Sequence, residues 1–291
     1  MRVEIAEPAE APNTGCRFDR AGFITEIVLD GSTWFCASEP KNLNHSSSGG
    51  RGLCNEYQCD VYHEAQTGEY FPKFGVGLMR KEAEEKYLFH KQYADVKPFT
   101  VDSKAAPASV VFTTKPEACL GYALLCCKTI AVQGNTLRMD VEIRNDGERN
   151  TEISEYCHNF ISIAGMAIGP DYKLEFPALG KKSAEKEALT GRDGEKLHAS
   201  GDGRNFTYSE FNAKAAGFSV DLGGVDPGSP FSWRLTNSAA KASVEETDDF
   251  IPARVFVWAV DHIVSPEIFY HCIVKPGESV KWTRRWNFNA W

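Results

Sequence analysis

Between positions 137 and 144 the chain reads Leu-Arg-Met-Asp-Val-Glu-Ile-Arg, apolar and charged residues in strict alternation. A period of two puts Leu137, Met139, Val141 and Ile143 on one face and Arg138, Asp140, Glu142 and Arg144 on the other, which predicts a half-buried antiparallel strand. The same kind of segment recurs along the chain. Ile24-Thr25-Glu26-Ile27-Val28-Leu29 and Thr33-Trp34-Phe35 flank Asp30-Gly31 and predict a hairpin. Val110 to Thr114 and Tyr122 to Val132 lead through Gln133-Gly134-Asn135, a tight turn, into the alternating segment. Phe206 to Tyr208, Gly217 to Leu222 and Phe231 to Leu235 are short strands bounded by Gly, Asp, Asn or Pro. Val255 to Val260 is apolar on both faces, as a central strand would be. The chain ends in Ser265 to Val274, a Pro276-Gly277 turn and Val280 to Phe288.

Two stretches read differently. Residues 38–59 are polar and predict a long loop, of the kind that is functional or disordered inside a compact domain. Lys181 to Gly203 has little apolar content and reads as a surface excursion, and Glu82 to Lys86 as a solvated turn. Nowhere does an apolar period of 3.6 persist for three turns, while strands recur every ~8 to 15 residues, the spacing of a large sandwich or barrel. The expectation is an all-β protein. No composition break separates two cores, so residues 1–291 form one domain, with 1–14 as a loose N-terminal arm.

Composition narrows the function. The chain has 291 residues, 42% hydrophobic and 25% charged, with net charge −8 and a pI near 5.5. An acidic chain without a basic run is a poor binder of phosphate backbones, so no nucleic-acid partner is expected. No window reaches the ~18 apolar residues of a membrane span, and the first residues lack the apolar core of a signal peptide. A cytoplasmic protein with no membrane partner is the reading. Nine cysteines, odd in number and without a Cys-x-x-Cys pair, fit reduced thiols. Cys126 and Cys127, adjacent on a strand, point to opposite faces and cannot share one metal site. No metal is expected.

The candidate chemistry centres on Ser154 to Ala164, which places His158 and Asn159 inside a strand-forming run. An imidazole with a free pKa of ~6.5, held on a rigid strand and facing a cavity, can both give and take a proton near neutrality. A core histidine bonded to a neighbouring carbonyl is the alternative. The two glycines of Phe74-Gly75-Val76-Gly77 allow close approach of the backbone but lack the partners of a nucleotide loop. Neither a Gly-x-Ser-x-Gly elbow nor a His-Glu-x-x-His motif occurs.

Five segments in order resemble the galactose mutarotase-like proteins, the aldose 1-epimerase superfamily. Arg17-Phe18-Asp19-x-x-Gly22-x-Ile24-Thr25-x-Ile27 is similar to that family's opening hairpin. Arg51-Gly52-Leu53-Cys54-Asn55 and Gly77-Leu78-Met79-Arg80 resemble segments of hexose-6-phosphate epimerase-like relatives, the nearest in pattern. Tyr156-x-His158-Asn159-Phe160 resembles the mid-chain histidine strand, and Pro276-Gly277-Glu278-Ser279 the family's ending. The resemblance implies a galactose mutarotase-like β-supersandwich of antiparallel strands with a sugar in a cleft across one sheet.

It implies also a cofactor-free interconversion of anomers, in which a glutamate takes the proton of the anomeric hydroxyl and a histidine protonates the ring oxygen. By position His158 is the acid and Glu267 the base, with Arg51, Arg80, Lys73, His90 and Asn159 as substrate-binding residues. The implied ligand is a monosaccharide or sugar derivative, free or anionic, and the protein a monomer or homodimer. Aligned on Arg80, the family's first histidine is Val76 here. That departure supports an alternative, a non-catalytic carbohydrate-binding protein of sugar catabolism that keeps the cleft. An elimination enzyme acting on uronates would need a base beside a carboxylate-neutralising arginine, for which Tyr57, Arg51 and Arg80 are available.

Overall fold

A computed structural model describes residues 1–10, 15–39, 49–58, 60–179, 189–190, 196–199, 205–208, 218–222 and 230–291. The described chain is almost entirely β, every strand pairing is antiparallel, and no α-helix forms among these residues. Two large sheets carry it. The first runs in the order Arg2–Ile5, Ile24–Leu29, Leu53–Tyr57, Thr151–Asn159, Ile263–Val274, Arg254–Val260, Phe218–Asp221, with Thr33–Trp34 added to Ile24–Leu29. The second has eleven strands, with Thr136–Asn145 between Leu124–Gln133 and Ser279–Ala290 near one end and Tyr172–Glu175 towards the other. A small sheet of Tyr70–Lys73, Gly77–Arg80 and Val96–Pro98 stands apart.

The alternation at 137–144 works as its period requires. Leu137, Met139, Val141 and Ile143 are at most 2% exposed, while Arg138 and Arg144 face solvent. They belong to one hydrophobic cluster with Ile153, Cys157 and Ile268 of the first sheet, so the main core lies between the sheets.

Three expectations are corrected. Residues 53–57, placed in a polar loop, form a strand buried on both faces beside Thr151–Asn159. Its polar residues are not solvated: Asn55 points into the intersheet core and Glu56 to the opposite face, each with partners described below. Residues 2–5, expected in a loose arm, pair with Val28 to Ile24 as an edge strand. Val255 to Val260 is one strand in from the sheet edge, and alternate positions are buried and half-buried. The expected excursion at 181–203 lies largely outside the described residues, although Leu189–Thr190 and Lys196–Ala199 form strands there.

A run of buried polar groups crosses the intersheet core. Lys128 Nζ donates to Asp19 (2.6 Å) and Asn55 (2.7 Å), and Asn55 Nδ2 donates to Glu155 (2.5 Å). The other oxygen of Glu155 accepts from Arg284 (2.8 Å), whose second amino group reaches Glu246 (3.1 Å) and Asp248 (3.4 Å). Glu246 accepts in turn from Trp233 (2.9 Å) and Asn159 (3.0 Å). Burial pushes the Asp248 carboxyl up, and the adjacent Glu246 charge adds to it. Ion pairs buried to this depth contribute little net stability over apolar residues of equal volume, but leaving one partner alone is costly.

Candidate functional site

The pleat of Thr151–Asn159 decides which side chains can do chemistry. Ile153, Glu155, Cys157 and Asn159 turn towards the second sheet; Tyr156 and His158 turn the other way, and Phe160 continues that face. On the strand to one side Cys54 and Glu56 share that face. On Ile263–Val274 it carries Ser265, Glu267 and Phe269.

His158 is held at both ring nitrogens. Nε2 lies 3.1 Å from Glu267 Oε1, and Nδ1 lies 2.8 Å from Ser265 Oγ. Ser265 Oγ also accepts the Asn159 backbone N–H (3.0 Å), tying the imidazole's neighbour to the strand that carries the imidazole. The ring stacks on Phe160, with centroids 3.8 Å apart and planes 4° from parallel, while Trp258 and Phe18 stand edge-on at 5.2 and 5.9 Å. Gly50 backs Phe160 so closely that a β-carbon there would strike the ring. The histidine is therefore neither loose nor bonded to a carbonyl.

Both members of the pair are buried, and burial favours their neutral forms. It raises the Glu267 carboxyl to about 8, the Arg17 charge pulling the other way. It lowers the His158 imidazole well below its ordinary value, with Arg17 adding to the effect. Near neutral pH the pair then holds one proton. With that proton on Glu267, its O–H donates to Nε2 and the Nδ1–H donates to Ser265. Moving the proton along the 3.1 Å contact gives imidazolium and carboxylate with Nδ1 unchanged.

A second group of charges adjoins the pair. Arg17 Nε donates to Glu56 Oε2 (2.6 Å), Arg17 Nη2 donates to the Tyr156 hydroxyl (2.9 Å), and that hydroxyl donates to Glu56 (2.5 Å). Lys73 Nζ lies 3.6 Å from the other Glu56 oxygen and donates to the Tyr57 carbonyl. Burial works against the Arg17 charge, but Glu56 and Tyr156 outweigh it and hold the guanidinium firmly charged. Burial likewise opposes the Glu56 charge, yet Arg17 and Lys73 bring its carboxyl below the usual range. The Arg17 Cζ lies over the rings of Phe18 (4.6 Å) and Phe89 (4.4 Å), and Phe89 is half exposed. Further along the same face, Arg254 covers Phe256 (4.6 Å) and pairs with Asp221 (2.8 Å).

The residues singled out from the sequence thus separate. His158 and Glu267 meet, Lys73 joins the Glu56 group, and His90 is exposed next to Phe89 at its margin. Asn159 lies on the far side of its strand, its amide bonded to Glu246 and the Pro266 carbonyl and its carbonyl accepting from Trp286. Arg51 donates to the Thr25 carbonyl, and Arg80 to the Gly68 carbonyl with Asp95 nearby; neither bonds to His158 or Glu267. Tyr57 is in the core with its hydroxyl on Cys126. Val76 is buried at 1% exposure. Sequence reasoning missed the roles of Arg17, Glu56, Tyr156, Ser265 and Trp258. Arg17 and Ser265 stood inside motifs already noticed, and the period of two from His158 points to Tyr156.

Two large antiparallel sheets packed face to face make this a galactose mutarotase-like β-sandwich. That fold is shared, over nearly the whole chain, with solved structures of low sequence identity. The Slr1438 protein from Synechocystis sp. PCC 6803 superposes with a TM-score of 0.59 at 12% identity, over 94% of this chain and 90% of that one. A galactose mutarotase-like protein from Lactobacillus casei gives 0.54 at 12% identity over 99% and 96%. Another from Clostridium acetobutylicum gives 0.54 at 11% identity over 93% and 90%. No protein-family profile matches the chain, and no curated protein matches it. Among the described residues no helix is long and apolar enough to cross a membrane.

Proposed function

We propose that the protein binds an aldose or aldose derivative against the His158 face and interconverts its anomers by opening and reclosing the ring. The observation that carries this reading is the direct contact of a buried imidazole and a buried carboxyl, 3.1 Å apart, holding one exchangeable proton. Ring opening moves two protons at one carbon: the anomeric hydroxyl loses one and the ring oxygen gains one. A hemiacetal replacing the direct contact meets Glu267 as carboxylate and His158 as imidazolium. The hydroxyl proton passes to Glu267, the Nε2 proton passes to the ring oxygen, the bond from anomeric carbon to ring oxygen breaks, and the carbonyl forms. The pair is left as carboxylic acid and neutral imidazole, the forms that burial favours, and these return both protons when the ring closes on the other face. No cofactor enters the balance.

Arg17 and Lys73 flank the Glu56 carboxylate beside His158, and the Glu39 carboxyl also lies within the field of Arg17. The flat faces of Trp258 and Phe89 suit the apolar face of a sugar ring. Saturation-transfer NMR on a panel of aldoses, uronates and sugar phosphates is the test. At least one should exchange anomers faster with the protein than in buffer, and a panel without any such sugar removes the reading. The second reading, a sugar-binding protein without turnover, draws on Val76, whose buried side chain transfers no proton. It takes over if calorimetry shows binding of a sugar whose anomers exchange no faster than in buffer.

A further inference from the structure

Apart from the His158 face, a cleft of about 520 Å³ opens where the first strands meet the small sheet. Its walls are largely apolar, from Pro8, Val96, Pro98, Phe99 and Val101, and Arg20 is the one cationic residue that lines it. Arg20 is only partly exposed, and its Nε is buried without a hydrogen-bond partner. The nearest acid in sequence, Asp19, is turned away and held by Lys128 and the Ala21 amide. Among the described residues no carboxylate forms an ion pair with Arg20, whereas Arg17 three positions earlier is fully engaged. A partly buried guanidinium without an acceptor loses solvation and gains nothing for it, and burial accordingly lowers its pKa.

We propose that this cleft is a second binding site, for a small organic anion with an apolar body, in which Arg20 receives the anionic group. A carboxylate or phosphate matches the two-pronged donor geometry of a guanidinium. The apolar walls would cover an aromatic or branched aliphatic body, the usual division of labour in small-molecule pockets. The site does not depend on the proposed sugar chemistry: Arg17 and Arg20 sit on one short segment but serve different faces of the molecule.

Ligand-observed NMR titration of the full chain with benzoate, phenyl phosphate and inorganic phosphate tests the assignment. Saturable binding of benzoate or phenyl phosphate is expected, the better of the two telling carboxylate from phosphate, with inorganic phosphate at least tenfold weaker. Arg20→Gln should weaken the bound arene at least tenfold, and Arg20→Lys, which keeps the charge but not the fork, by less. His158→Asn should leave it unchanged. Absence of saturable binding, equal affinity in wild type and Arg20→Gln, or inorganic phosphate binding as tightly as phenyl phosphate overturns the proposal. Arg20→Lys guards against misfolding: if both variants melt like the wild type and bind like it, Arg20 is not the receptor.

Discussion

Nε2 of His158 lies 3.1 Å from Oε1 of Glu267, so the two residues titrate as one unit. Replacing His158 with Asn keeps a hydrogen bond to Ser265 or Glu267 but removes the transferable proton. Anomer exchange should fall by about 10²- to 10⁴-fold, the usual worth of a general acid, while sugar affinity changes little. Glu267→Gln should fall by a similar factor, and the double variant by little more than either single one, since one shared proton is lost only once. Rates by saturation-transfer NMR and affinities by calorimetry separate these outcomes; a double variant whose losses multiply would mean two independent groups.

The pH dependence follows from the same pair. Glu267 rises from 4.5 to about 8 in the folded chain, so the shared proton leaves as the solution passes about pH 8 and exchange should decline there. The acid limb should lie below 6.5, because burial lowers His158 from that value. For stability the sign is that of a raised carboxyl: the contribution of Glu267 is fully present below its unfolded value and disappears as pH rises through about 8. Urea midpoints of wild type minus Glu267→Gln should therefore decrease from about pH 5 to about pH 9. A difference that grows with pH would show an ionised, well-paired Glu267 instead.

The Arg17–Glu56 pair is buried on both sides. Removing only Arg17, as in Arg17→Met, takes the nearest cation from buried Glu56 and leaves it with Tyr156 and the more distant Lys73, which should cost about 3 kcal/mol in chemical denaturation. Adding Glu56→Leu should recover only part of that loss, since it removes the carboxylate but leaves the buried Lys73 ammonium with only the Tyr57 carbonyl. If the double variant is less stable than Arg17→Met alone, the remaining partners, Tyr156 and Lys73, need Glu56 more than Arg17 does.

On the opposite sheet, Val141→Asp should cost several kcal/mol by burying an unpaired carboxylate, and Glu142→Ala less than about 0.5. Thermal melts of the two variants check the inward and outward faces of Thr136–Asn145 directly; equal melting temperatures would contradict the observed register.

How far the sequence reveals this structure depends on where polarity sits. Residues 137–144 were legible because one face is apolar and the other charged, so period and burial agree. Leu53 to Tyr57 was not, because Asn55 and Glu56 are buried by pairing with Glu155 and Arg17, and a one-dimensional pattern reads polarity as exposure. Asn159 was grouped with His158 because the two are adjacent, although adjacency on a strand puts side chains on opposite faces. Arg17 and Tyr156 are 139 residues apart, a separation at which neither periodicity nor spacing carries information. His158 and Glu267 were named through resemblance to a family; nothing local in the chain says that they touch.

Behind the pair, on the reverse of the same strand, stand Glu155 and Asn159, bonded to Arg284 and Glu246 of the second sheet. If Thr151–Asn159 slipped by a single residue, every side chain would change face. His158 would be driven among charges that have no use for it, and the Arg284 guanidinium would lose the Glu155 carboxylate. The ionic chain in the core therefore works as a key for alignment: it penalises all but one setting of the strand, and that setting is the one in which the imidazole emerges opposite Glu267.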